Sequence, residues 1–111
     1  MEELRTAIKK ALADAFVMYT EAHIFHWNVE GESFYAYHKF FNDIYEDVYD
    51  SIDNIAERLR TTGGYAPVSV HKLLEGSSIG TTPAMTTPAD MIARLIDTNA
   101  SVISSLKCSI S

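Results

Sequence analysis

With 111 residues, of which 47% are hydrophobic and 22% charged, the chain fits one compact domain spanning 1–111; this excludes intrinsic disorder and an ordinary two-domain enzyme. A single cysteine, Cys108, rules out an internal disulfide framework and an all-cysteine zinc site, while short apolar runs and the acidic start Met1-Glu2-Glu3 predict a cytoplasmic protein with no membrane span or signal peptide. The net charge of −6 sits in the first half: residues 1–60 hold six Lys/Arg against twelve Asp/Glu, and residues 61–111 three of each, a balance that repels phosphate backbones and suits cations.

Residues Glu2 to about Trp27 lack Gly and Pro, and Leu4, Ile8, Leu12, Ala15, Tyr19 and Ala22 share one face at helical spacing. Gly31-Glu32-Ser33 breaks that pattern, with Ser33 as the expected N-cap of a second helix. There Phe34, Tyr37, Phe41, Ile44, Val48, Ile52, Ile55 and Leu59 recur every three or four residues, over about seven turns, until Thr61-Thr62-Gly63-Gly64 ends the run. The short turn between them predicts an antiparallel hairpin. Residues 61–87 then hold four of the five glycines and two of the three prolines, with one short helix expected over Val70–Glu75 between Ser69 and Gly76. Thr87-Pro88-Ala89-Asp90 opens a third main helix: a cap, a proline in the first position and an acid in the first turn. Met91, Ile92, Leu95, Ile96, Val102, Ile103 and Leu106 give that helix an apolar face, and five of the last eleven residues are serine. The class is therefore all-α.

Beside its core face the second helix carries His38, Asn42, Tyr45, Tyr49, Asp53 and Glu57. Asp53 and Glu57 are one turn apart and can address one ion, but His38 lies fifteen residues earlier, roughly 22 Å along the axis. One metal cannot join them within a chain. Two copies packed antiparallel about a two-fold axis near Tyr45–Val48 would bring His38 of one copy to Asp53 and Glu57 of the other, twice. His26, near the end of the first helix, can approach His38 across the hairpin. Such a mixed nitrogen and carboxylate set suits iron, manganese or zinc. The bland alternatives stay open at this point. A histidine on an apolar face is more often a hydrogen-bonded core residue, and an Asp–Glu pair more often a solvated surface. His23 and His71 have no partner set and read as structural.

The run His26-Trp27-Asn28-Val29-Glu30-Gly31, followed by Phe34 and His38 and then by Asp53-x-x-Ala56-Glu57-Arg58, resembles the Dps family of mini-ferritins. The resemblance covers about residues 5–106, including the short helix. It implies a ferritin-like bundle whose subunits form hollow dodecamers, oxidise Fe(II), usually with hydrogen peroxide, and store the ferric product. It also implies an inter-subunit ferroxidase centre, with His26 and His38 from one subunit and Asp53 and Glu57 from its partner, and a role for Trp27 in electron transfer beside it. Asn42 stands where some relatives carry an assisting carboxylate, which implies a weaker second iron site. Two departures stand out. DNA binding in the family often uses a Lys-rich tail, whereas Arg5, Lys9 and Lys10 fall inside the first helix, so appreciable DNA binding is not expected. The family's fourth bundle helix has no counterpart, so the three main helices are expected to expose an apolar patch.

Overall fold

The computed structural model describes residues 1–85 and 87–110; Thr86 in the long connection and Ser111 in the serine-rich end lie outside the described residues. Its helices are α1 (Glu2–Asn28), α2 (Phe34–Thr61), α3 (Val70–Glu75) and α4 (Pro88–Ile110). These are the three long helices and the short one that the patterning predicts.

Local chemistry explains where each begins and ends. α1 stops at Val29, whose extended backbone still donates its N–H to the Phe25 carbonyl. Gly31, at φ +119°, then takes a backbone conformation that only glycine adopts without strain. Ser33 stands at the α2 N-cap, but its side chain makes no capping hydrogen bond. Its backbone carbonyl accepts from the Tyr37 N–H at 3.1 Å instead. At the far end Gly63, at φ +90°, turns the chain, and Arg5 Nη2 donates to the Thr62 carbonyl at 2.5 Å, tying the start of α1 to the end of α2. Ser69 Oγ caps α3 by accepting from the Lys72 N–H at 3.1 Å. Thr87 Oγ1 does the same for α4 by accepting from the Asp90 N–H at 3.3 Å.

α1 is the central helix, packed against both α2 and α4, whereas α2 and α4 touch each other at most marginally. Sharing two neighbours explains why α1 is buried over a wide arc, from Ala11 through Ala15 and again at Met18, Glu21, Ala22 and Phe25. The core joins Phe25, Phe41, Met91 and Leu95, with the Phe25 and Phe41 rings edge-to-face at 5.9 Å. Each such side chain contributes about 1.5–3 kcal/mol by leaving water.

The apolar stripe of α2 fares differently from its sequence pattern. Phe41 and Leu59 are buried, while Ile44, Val48, Ile52 and Ile55 are only partly buried and Phe34 is exposed. On α4, likewise, Met91, Leu95 and Val102 are buried but Ile96, Ile103 and Leu106 face solvent. Both helices rest on α1 and nothing described fills the space between them, so the expected apolar patch is present.

Two acids on α1 are buried, although charged groups are normally excluded from such a position. Asp14 is fully buried and accepts from Ser77 Oγ at 2.7 Å, from the Ser78 N–H and Oγ at 2.8 Å each, and from Ser105 Oγ. Burial pushes its carboxyl pKa up, but the hydrogen bonds from Ser105, Ser77 and Ser78 outweigh that and hold it below the usual carboxylate range. Glu21, seven residues on, accepts from Arg94 Nε at 2.8 Å, Thr98 Oγ1 at 2.6 Å and Thr82 Oγ1. Together these bonds fasten the connection after α3, and α4 itself, to α1.

Candidate metal centre

His26 lies in the last turn of α1 and His38 in the second turn of α2. The tight turn at Gly31 folds the two helices together and brings the imidazoles face to face, with centroids 3.6 Å apart and planes 19° from parallel. Their hydrogen bonds are reciprocal. His26 Nδ1 lies 2.7 Å from the His38 carbonyl, and His38 Nδ1 lies 2.8 Å from the His26 carbonyl. A carbonyl oxygen can only accept, so each Nδ1 carries a proton, and in a neutral imidazole Nε2 is then the nitrogen with the lone pair. A backbone carbonyl that fixes the tautomer in this way is the usual outer support of a metal-binding histidine. Both histidines are half-buried, and the Phe34 ring covers His38 at 5.0 Å.

An aromatic cluster surrounds the pair. His23, read from sequence as merely structural, stacks on Tyr45 at 4.1 Å and 12° and meets Trp27 at 4.3 Å. Tyr45 approaches His26 edge-on at 5.3 Å, and its hydroxyl donates to Asn42 Oδ1 at 2.6 Å. Trp27 is 62% exposed, so it stands at the rim of the cluster. His71 lies elsewhere, exposed on α3 and 2.9 Å from Glu75.

Asp53 and Glu57 are brought to the same helix face but not to the histidines. Both are exposed, and neither carboxylate is paired with a side chain among the described residues. No group of three or more His, Cys, Asp or Glu converges on one point among the described residues. The chain thus presents two half-sets on one side, a pair of oriented nitrogens and a pair of solvated carboxylates, roughly 22 Å apart along α2.

A family model for the ferritin-like domain matches residues 5–110. General stress protein 20U of Bacillus subtilis is 30% identical over 106 residues, which span 96% of this chain and 73% of that protein. A second relative, the DNA protection during starvation protein of Brevibacillus brevis, is 29% identical over 90% of this chain and 67% of its own length. The chain belongs to the Dps family of ferritin-like proteins. Among solved structures, the Dps protein of Vibrio cholerae, described as a member of a broad superfamily of ferritin-like diiron-carboxylate proteins, superposes with a TM-score of 0.89 at 25% identity, covering 96% of this chain and 67% of that one. A Dps protein from Bacillus brevis gives 0.87 at 27%, covering 96% and 71%. The all-helical ferritin-like fold of this Dps chain is therefore as the resemblance implied.

Sequence reading missed the buried acids Asp14 and Glu21. Their signal was present: two acids seven residues apart within an apolar helix arc, with Ser77-Ser78, Ser105, Thr98 and Arg94 available downstream. They serve the architecture and lie away from the histidine pair.

Proposed function

We propose that this protein is a Dps-type mini-ferritin that binds Fe(II) at sites shared between two copies and oxidises it with peroxide or oxygen. The ferric product would be held in a cage of its own subunits, a dodecamer as in the family, protecting the cytoplasm against oxidative stress. The observation that carries this reading is the reciprocal pair His26–His38, whose carbonyl-bound Nδ1 atoms leave both Nε2 atoms free for a metal. The exposed, unpaired Asp53 and Glu57 support it, because carboxylates awaiting a partner copy would stand in this way.

The donor set fits Fe(II). Two neutral imidazole nitrogens and two carboxylates match a borderline metal and supply the negative charge that stabilises Fe(III) once it forms. His26 and His38 of one copy would hold the ion from one side, and Asp53 and Glu57 of the partner from the other. Each Fe(II) would give up one electron, and two Fe(II) with two protons from solvent would reduce one hydrogen peroxide to two waters. Trp27, packed on His23 beside the pair, would pass electrons at the rim of the site. Asn42 is neutral and occupied by the Tyr45 hydroxyl, so a second iron would bind more weakly. The protein would not bind DNA appreciably, because Arg5, Lys9 and Lys10 lie within α1 and the net charge is −6. No helix among the described residues is long and apolar enough to cross a membrane.

Anaerobic Fe(II) titration of the purified chain, followed by peroxide and absorbance of the ferric product, tests the reading. Saturation near one or two irons per subunit is expected, with rapid oxidation lost in both His38→Ala and Asp53→Ala. A second reading, a non-catalytic helical interaction protein, is favoured by one observation, the apolar faces of α2 and α4 left open to solvent. Absence of saturable binding in a correctly folded sample would select it.

A further inference from the structure

A line of rings without a phenylalanine leads away from the imidazole pair. Tyr45 meets His26 edge-on at 5.3 Å, Tyr19 meets Tyr45 at 6.0 Å, and Tyr49 meets Tyr19 at 5.5 Å. A branch runs from Tyr45 through His23 to Trp27, at 4.1 and 4.3 Å. Sequence spacing builds both: Tyr19, His23 and Trp27 stand at four-residue steps on α1, and Tyr45 and Tyr49 at the same step on α2. Phenylalanine would pack there as well, as Phe25 and Phe41 do in the core. Among the described residues the Tyr19 and Tyr49 hydroxyls bond to no other group, so these hydroxyls are not spent on the fold. Instead Tyr19, Tyr45 and Tyr49 line one pocket of about 380 Å³ together with Glu46 and Asp50. The negative charge of those carboxylates favours loss of an electron and a proton from a neighbouring phenol.

Tyr45 also marks the place where the proposed donor set is short. Its hydroxyl donates to Asn42 Oδ1 at 2.6 Å, and Asn42 is the neutral residue that would leave a second iron weakly held. A site that keeps one Fe(II) has one electron to give, whereas peroxide needs two to become water; a single electron releases hydroxyl radical. We propose that Tyr45, Tyr19 and Tyr49 form a relay that supplies the second electron to the iron site. Fe(II) gives one electron and becomes Fe(III). Tyr19 or Tyr49 gives the other through Tyr45, and its phenol proton passes to Glu46 or Asp50. These two electrons and two protons from solvent cleave the O–O bond of one peroxide to give two waters, leaving a neutral tyrosyl radical. A later Fe(II) reduces that radical to tyrosine as the carboxyl returns its proton. The site thereby carries out two-electron chemistry with one ion at a time.

The relay depends on the iron reading, and one experiment separates their failures. The full chain is loaded anaerobically with less than one Fe(II) per subunit, mixed with hydrogen peroxide and frozen for electron paramagnetic resonance. Parallel samples carry a spin trap for hydroxyl radical. A radical signal is expected that narrows in protein grown with ring-deuterated tyrosine, together with little trapped hydroxyl radical. The triple variant Tyr19→Phe/Tyr45→Phe/Tyr49→Phe should lose that signal and release hydroxyl radical, while still binding Fe(II) and keeping its helicity by circular dichroism. Tyr65→Phe, beyond the far end of α2 and against Arg60, should keep the signal. Ferric product formed without a tyrosyl signal overturns the relay and leaves the iron reading standing. A signal that survives the triple variant, or one unaltered by deuterated tyrosine and so carried by Trp27, does the same. Absence of Fe(II) binding and oxidation overturns both.

Discussion

His26 and His38 each donate the Nδ1 proton to the other's backbone carbonyl, so removing either ring does two things. It deletes one of the proposed nitrogen ligands, and it leaves one half-buried carbonyl without its donor. His38→Ala should therefore weaken Fe(II) binding at least about 100-fold, since loss of even an outer-shell support costs 10–100-fold. The stability loss should be only about 1 kcal/mol by urea denaturation. Asp14 makes an architectural prediction of a different kind. Its carboxyl pKa is lowered in the folded chain, so the unfolded chain binds that proton more readily. Its contribution is then complete above its ordinary value of 3.8 and is lost as pH falls through the lower folded value. Asp14→Asn should cost about 2–4 kcal/mol at pH 7, from weakened charge-assisted bonds to three serines. Its stability should also depend less steeply on pH in the acid limb, measured by denaturant unfolding at neutral and acid pH.

At the scale of elements, the helices were legible because each has its punctuation in the local sequence. Gly31 and Gly63 supply the positive-φ turns, and Thr87-Pro88 opens α4. Gly63 offers a direct check. A Cβ there would sit 3.0 Å from Arg5 Nη2 in a conformation that L residues rarely adopt, so Gly63→Ala should destabilise by about 1–3 kcal/mol, read as a fall in urea midpoint with unchanged slope. What the sequence did not disclose is long-range. Ser105 reaches Asp14 across 91 residues and Arg94 reaches Glu21 across 73, and no periodicity within a helix encodes such pairs. The α2 stripe was legible as apolar, yet periodicity could not say that Ile44 and Val48 would border an open groove. Of the candidate site, the approach of His26 to His38 could be anticipated from the hairpin. The reciprocal Nδ1–carbonyl bonds could not, because they depend on the register set by the turn.

For the whole molecule the decisive fact is the division of the proposed ligands along α2. Among the described residues, no three metal-binding side chains meet, so under the proposed reading a single copy would offer only half of each site. The acidic first half should help gather Fe(II), and the uptake rate should fall with added salt as that attraction is screened. Gel-shift assays should find no DNA complex at about 150 mM salt.

The inter-subunit centre is tested most directly by mixing two inactive variants. His38→Ala keeps Asp53 and Glu57, while Asp53→Ala/Glu57→Ala keeps His26 and His38. If the ligands come from different copies, a mixed dimer rebuilds one intact site and discards the other. Unfolding and refolding the variants together in equal amounts should then restore about a quarter of the wild-type Fe(II) binding and peroxide-driven oxidation, since about half the dimers are mixed and each has one of two sites intact. Recovery near that fraction, with neither variant active alone, is the result predicted. No recovery from a mixture that demonstrably contains mixed dimers would contradict a site shared between copies.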